Sequence, residues 1–305
     1  SESAGIGISL IDASKGNAED LLRAVEETAK RGLSLSPNTG VVTETENRPT
    51  DLAGAVQRTY VRLRDDMPPR LSLRRLTRSA ANNPNLTESV FQVLLDGSPD
   101  AGGELRQQSG YHSAALSIAL DCAKINATCR FAEHLVTGGR EIPVFHIRVS
   151  TDAAIHHEFL DFVLSEVSES GIGTDRLCIE LRDSARLREE SRAADFARTL
   201  RSIGCQISVC EVNPQRGSTG ELQTLNPNML ALDPSMWPPT GEASHLPALH
   251  QTISDLHHLV GEHVVIRDNT DTERAHEFGI DFIESIDPRE IEPETLFAAL
   301  PQVQR

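Results

Sequence analysis

Nothing in this sequence approaches the roughly 20 consecutive apolar residues of a membrane-crossing helix. The longest apolar stretches, such as Ala114–Leu120, fall far short, and no charged-then-apolar signal segment opens the chain. The expectation is a cytoplasmic protein without direct membrane contact. Positive charge is also short: 29 Lys and Arg stand against 45 Asp and Glu, a formal net charge of −16. That balance repels phosphate backbones, which argues against nucleic acid as a partner. The one concentrated basic stretch, Arg70–Arg78, interleaves Arg74, Arg75 and Arg78 with Leu71, Leu73 and Leu76. It reads as a solvated strand or barrel-mouth face. Cysteines are few, and the five (Cys122, Cys129, Cys178, Cys205, Cys210) are odd in number and lack CxxC spacing. Neither a disulfide framework nor a zinc site is indicated, and mostly buried, reduced thiols are expected. Glycine-rich nucleotide loops are missing, since Gly102-Gly103 and Gly138-Gly139 lack the flanking pattern and read as loop tips. No nucleophile elbow is present. The adjacent pairs His156-His157 and His257-His258 point to different helix faces rather than to one metal.

What the chain does hold is 38% hydrophobic and 24% charged residues, within the range of a soluble globular protein. Its 305 residues suffice for one barrel of about 250 residues and a smaller appendage. The opening reads as a strand at Ile6–Ile11, a helix over Asn17–Arg31 and a short β-like run at Val41–Thr43, followed by a polar linker, Glu44–Pro49. So small a unit cannot enclose a core and must lean on something else or be the tail of a longer domain. From about Thr50, short β-type runs alternate with amphipathic helices, the signature of a parallel sheet with crossover helices. The strands are Leu71–Leu76, Val90–Leu95, Val144–Val149, Leu177–Leu181, Gln206–Val212, Met229–Leu232, His263–Ile266 and Asp281–Glu284. Helical patterns lie at Glu104–Leu135, His156–Ser170, Ala185–Ile203, Leu246–Val260, Thr272–Phe278 and Pro293–Leu300. Eight strands with intervening helices favour a closed eight-stranded α/β (TIM-like) barrel with a small N-terminal α/β fragment; an open doubly wound sheet is the alternative.

Several segments, in order and at compatible spacing, resemble the EAL family, whose members hydrolyse cyclic di-GMP in such a barrel. Leu177-Cys-Ile-Glu-Leu-Arg-Asp-Ser184 is similar to the family's "l-x-x-E-i-T-E-s" strand and Leu200-Arg-Ser-Ile-Gly-Cys-Gln-Ile207 to its "l-r-x-l-G-x-x-i". Leu222–Asp233 resembles its "L-x-x-L-p-x-d-x-l-K-i-D" segment and Phe278-Gly-Ile-Asp-Phe282 its "l-G-x-d-f". The likeness runs over about residues 70 to 300. Ser3–Ser9, Ala18–Ala24 and Ala29–Gly32 resemble the last strand and helix of a GGDEF domain, so residues 1–49 are expected to be a C-terminal remnant of such a domain with a linker, and residues 50–305 a degenerate EAL-like barrel. The simplest account is a piece of a longer protein.

The resemblance also implies where metal and substrate groups would stand. Phosphodiester hydrolysis of this kind needs divalent cations, and Mg²⁺ takes about six oxygen ligands. The family's first Glu ligand falls on Gln92, and its phosphate-holding Arg on Asp96, a negative charge where a phosphate should sit. Its Asn ligand falls on Arg148, a cation where the metal needs an oxygen. Glu180 and Asp183 are kept. The Asp-Asp pair becomes Cys210-Glu211, and a thiol is a poor ligand for a hard cation. The Lys expected to help activate water falls on Ala231, while its companion survives as Asp233. The family's later "A-E-G-V-E-t" falls on Ile266–Asp271, with Thr270 over the Glu, and its final Gln-Gly-Tyr on Glu284-Ser-Ile286. Gln92, Arg148, Glu180, Asp183, Cys210, Glu211, Ala231 and Asp233 are therefore expected to be vestigial metal-site positions, with no metal, no cofactor and no catalytic residue. Glu180, Asp183, Glu211 and Asp233 read as solvated or salt-bridged carboxylates; trapping a cation together is the alternative.

The resulting expectation is a catalytically inactive EAL-like signalling module that binds a signalling protein in cyclic di-GMP-related regulation. Two alternatives stay open: a receptor that binds cyclic di-GMP without hydrolysing it, and an active phosphodiesterase with an altered metal site. Against binding stand the acidic groups expected near the strand ends, Asp96, Glu180, Asp183, Glu211, Asp233 and Glu284, which Arg148 and Arg267 offset only in part. Were Arg148 to turn inward, it would be the substitute phosphate anchor.

Overall fold

A computed structural model of the chain describes residues 7–8, 41–42, 52–65, 70–78, 89–95, 114–182, 191–214, 222–236, 246–259, 263–267, 272–284 and 290–303. Near the N-terminus, β1 (Gly7–Ile8) pairs in parallel with β2 (Val41–Val42). The helix expected at Asn17–Arg31 lies outside the described residues. All eight strands read from the sequence are present: β3 (Leu71–Arg78), β4 (Val90–Leu95), β5 (Val144–Val149), β6 (Leu177–Arg182), β7 (Gln206–Val212), β8 (Met229–Leu232), β9 (His263–Arg267) and β10 (Phe282–Glu284). They close into a barrel in the order β10-β3-β4-β5-β6-β7-β8-β9.

The sheet is not parallel throughout, which corrects the expectation from strand-helix alternation. β3 runs antiparallel to both β10 and β4, whereas the other neighbours are parallel. The cause lies in the connection: a parallel crossover takes a dozen or more residues and a helix, and residues 79–89 between β3 and β4 are too few. Reversal of β3 places its N-terminal half, with Ser72 and Arg74, at the end of the barrel where the parallel strands finish.

Strands β4, β5, β6 and β8 are buried on both faces, with the two-residue alternation of a filled barrel. Outward residues such as Phe145, Ile147, Val149, Ile179, Leu181, Val209 and Leu230 join the large core beneath the helices. Inward residues form a second cluster of Leu76, Val90, Val144, Cys178, Cys210, Met229, Ala231, Val265 and Phe282. Most of that cluster lies toward one end of the barrel, whereas Cys210, opposite Arg182, lies at the other end with the polar side chains described below. In β7 the pairing register shifts between Val209 and Val212, and Glu211 takes a positive φ of 59°. This bulge puts both valines outside while Cys210 stays inside.

The helices are α1 (Leu52–Asp65), α2 (Ala114–Thr137), α3 (Thr151–Ala154), α4 (His157–Ser170), α5 (Ser191–Ser202), α6 (Leu246–Leu259), α7 (Thr272–Glu277) and α8 (Pro293–Ala299). None of the described helices is long and apolar enough to cross a membrane. The sequence reading had not singled out α1. Its Val56 and Tyr60, one turn apart, are buried, and the Tyr60 ring meets Phe162 of α4 edge-on with centroids 5.4 Å apart. Burial, with Glu166 nearby, pushes the Tyr60 phenol up to about 12. A helix packed between the barrel and another helix must be apolar on both sides, and α2, lying under α1, buries residues all around its circumference. The C-terminal segment ties back to the body of the fold: Leu73 and Ile291 exchange two backbone hydrogen bonds, and Arg140 bridges to Gln302.

Three local expectations are settled here. All five cysteines are buried and unpaired by disulfides. Arg75 is exposed, but Arg74 is 7% exposed and turned into the barrel, so the basic stretch is not a solvated face throughout. His156 precedes α4 as its N-cap residue, and its ring lies 5.0 Å from that of His157, centroid to centroid, so this pair does not occupy two faces of one helix.

Candidate functional site

The barrel end at which the parallel strands finish is filled by polar side chains drawn from adjacent strands. Register sets the layer: Arg74 stands opposite Gln92, Gln92 opposite His146, and Arg148 opposite Glu180. Arg74, Gln92, His146, Arg148, Glu180, Ser208 and Glu284 are all buried. The Arg148 guanidinium donates from Nε to Glu180 Oε1, and its Nη2 lies 3.6 Å from Glu284 Oε2. Arg74 Nη1 reaches the other oxygen of the same glutamate, also at 3.6 Å. Two arginines and two glutamates thus share the interior.

His146 Nδ1 lies 3.5 Å from Glu180 Oε2. Burial lowers the pKa of His146, and the partly opposing field of Glu180 does not reverse the direction. We therefore take the contact as a neutral imidazole beside a carboxylate rather than an ion pair. The sign of its pH dependence follows. A histidine with a lowered folded-state pKa contributes stability that is fully present above its ordinary value of 6.5 and is lost as pH falls below it, because the unfolded chain then binds the extra proton. The stability gap between wild type and His146→Gln is accordingly expected to shrink from about pH 8 to about pH 5. Urea titrations at the two pH values check this; a gap that widens on acidification contradicts it.

The positions singled out by sequence fall as follows. Gln92, Arg148 and Glu180 meet inside the barrel. Cys210 faces the interior too, but burial, with Glu180 nearby, raises its thiol well above the ordinary range, and it stays protonated. Ala231 lies in the apolar inner cluster. Glu211 is half-exposed and pairs with Arg182 at 3.2 Å. Asp233 begins the turn Pro234–Met236, its Oδ1 accepting from the Ser235 amide at 2.8 Å, and its own amide donates to Val212. Asp96, Asp183 and Thr270 lie outside the described residues, as do the side chain of Arg267 and the segment Ser285-Ile286. Glu284, expected near a strand end among unbalanced acidic groups, is 3% exposed and lies beside both arginines. Among the described residues, no group of three or more His, Cys, Asp and Glu is arranged to hold a metal ion.

Sequence reasoning missed Arg74 and His146 as interior groups, though strand parity pointed to both: Arg74 is two residues from inward Leu76, and His146 two from inward Val144. It also missed a second buried pair behind β5. Lys124 of α2 is 1% exposed; its Nζ donates to the Arg148 carbonyl at 2.6 Å and lies 3.4 Å from Asp121 Oδ1. Asp121 Oδ2 accepts from the Ser150 amide at 2.7 Å. These bonds fix the backbone on both sides of Val149, where β5 ends.

The EAL domain family model matches residues 90–284. No curated protein matches the sequence. Among solved structures, the fold is similar to the FimX EAL domain from Pseudomonas aeruginosa bound to c-di-GMP, with a TM-score of 0.62 and 13% identity over 77% of this chain and 93% of that one. It is similar to the PaMucR phosphodiesterase in its c-di-GMP complex, with a TM-score of 0.63 and 14% identity over 79% of this chain and 99% of that one. The EAL domain of Mycobacterium smegmatis DcpA gives a TM-score of 0.57 and 13% identity over 77% of this chain and all (100%) of that one. At such identities the likeness is one of fold.

Proposed function

This chain belongs to the EAL domain family, and we propose that within it the protein is a non-hydrolysing signalling module that acts through protein contacts in cyclic di-GMP-related regulation. The observation that carries this reading is Arg148, whose guanidinium lies between the buried carboxylates of Glu180 and Glu284. A hard divalent cation needs about six oxygens, and the residues present do not fit one. Glu180 is engaged by a guanidinium, Cys210 is a protonated thiol and Ala231 offers no donor at all. Glu211 is turned to Arg182, and Asp233 caps its own turn. We therefore assign Gln92, Arg148, Glu180, Asp183, Cys210, Glu211, Ala231 and Asp233 as vestigial positions that hold no metal.

We place the protein in the cytoplasm and divide it into a GGDEF-like remnant with linker over residues 1–49 and the barrel domain over residues 50–305. In support, α1 begins at Leu52, next to that boundary, and joins the barrel's helical layer. Cyclic di-GMP is a dianion, and the net charge of −16 forms a repulsive background to it. Arg148 would have to leave two carboxylates to hold a phosphate. Calorimetric titration with cyclic di-GMP, with and without Mg²⁺, is expected to show no saturable binding at micromolar concentrations in ordinary salt. Saturable binding that disappears in Arg148→Ala would replace this reading with that of a receptor.

A further inference from the structure

Arg74, Arg148, Glu180 and Glu284 come from four different strands, and each is less than a tenth exposed. Their formal charges cancel. Two buried carboxylates facing the same space cannot both stay ionised cheaply without a cation between them, because poor solvation and mutual repulsion both favour protonation. Arg148 supplies that cation: Nε serves Glu180 and Nη2 faces Glu284. Arg74 reaches only Glu284 among these contacts and stands on the antiparallel strand β3. The side chain that spans the two acids is therefore Arg148, whose stem rises from the strand end held by Lys124 and Asp121.

Resting on the functional reading above, we propose that Glu180 and Glu284 form a cation site whose resident cation is the tethered guanidinium of Arg148, and that once this side chain is cut away the site takes a free guanidinium ion in its place. The ligand class is a planar organic monocation with several N–H donors, matched to two carboxylates rather than to an oxygen shell. The site thus binds a cation from its own chain, and the barrel has no need of a dissolved one.

Thermal melts of the whole chain test this. Arg148→Ala is expected to melt about 10 °C below wild type, since it takes from buried Glu180 the guanidinium that donates to it and from Glu284 one of its two arginine neighbours. Guanidinium chloride or methylguanidinium at low millimolar concentration, far below denaturing levels, is expected to restore roughly half of that loss by binding the folded state alone. Sodium chloride at equal ionic strength should not, and wild type should respond to neither. Should Arg148→Ala not fold, Arg148→Ala/Glu180→Gln, with one acid neutralised, is expected to fold and to be indifferent to guanidinium. A single variant melting within about 2 °C of wild type, equal rescue of the single and double variants, or stabilisation of wild type by Mn²⁺ would each overturn the inference. The two readings fail separately: turnover of cyclic di-GMP by wild type would sink the functional one, whereas unshifted melts would sink only this one.

Discussion

Replacing Asp121 by alanine is expected to cost about 3–5 kcal/mol of folding free energy. The reason is Lys124, which would keep a buried ammonium without its carboxylate. The Arg148 carbonyl, which also accepts from this ammonium, carries no formal charge to balance it. The Ser150 amide would lose its acceptor as well. Lys124→Met is expected to cost less, about 1–3 kcal/mol, because Asp121 would keep the Ser150 amide. Removing both members with an apolar pair, Asp121→Leu/Lys124→Met, should recover most of the loss. Urea denaturation of the three variants gives the ordering; an Asp121→Ala protein as stable as wild type would show that the pair does not hold β5.

The second large effect belongs to Glu284. Changing it to leucine is expected to cost about 3–5 kcal/mol, since Arg74 and Arg148 both lie within 3.6 Å of its carboxylate and would lose one of the two buried glutamates that balance them. Arg74→Met/Glu284→Leu removes one charge of each sign and leaves the Arg148–Glu180 pair intact, so it should be more stable than the single variant. Chemical denaturation separates these outcomes. Equal losses in the single and double variants would mean that the four charges do not act as a unit.

Much of this architecture was legible in the sequence because strand-forming runs bounded by turns mark a barrel strand regardless of its partners. Val144–Val149 and Met229–Leu232 were placed to the residue. The reversed β3 was not foreseen, although the short segment before Val90 carried no helical pattern, and its absence was the available signal. The helix at Leu52–Asp65 was overlooked although Leu52, Val56, Tyr60 and Leu63 recur at helical spacing, a stripe that was the available signal and of which Val56, Tyr60 and Leu63 face the core. Asp121 and Lys124 stand three residues apart on a helix, a spacing typical of a solvated surface pair. Only the second helical layer, which no local pattern announces, turns them into a buried one.

The candidate site was legible by position but not by partner. Arg148 and Glu180 were expected at strand ends, yet sequence cannot tell an arginine facing solvent from one folded onto a neighbouring glutamate, because that choice depends on register between strands. Glu284 shows the same limit in reverse. It counted as part of an acidic mouth, whereas antiparallel pairing beside Leu76 brings Arg74 and Arg148 to it. The charge balance of the interior is a property of the closed barrel.

The central claim is that a tethered guanidinium, not a metal, organises this barrel, and that the chain therefore does not hydrolyse cyclic di-GMP. Its most direct test is incubation of the purified chain with cyclic di-GMP across a range of Mg²⁺ and Mn²⁺ concentrations, with the ring-opened linear dinucleotide separated and quantified by chromatography. The account predicts no product above a buffer blank at any metal concentration; metal-dependent accumulation of the linear dinucleotide would contradict it.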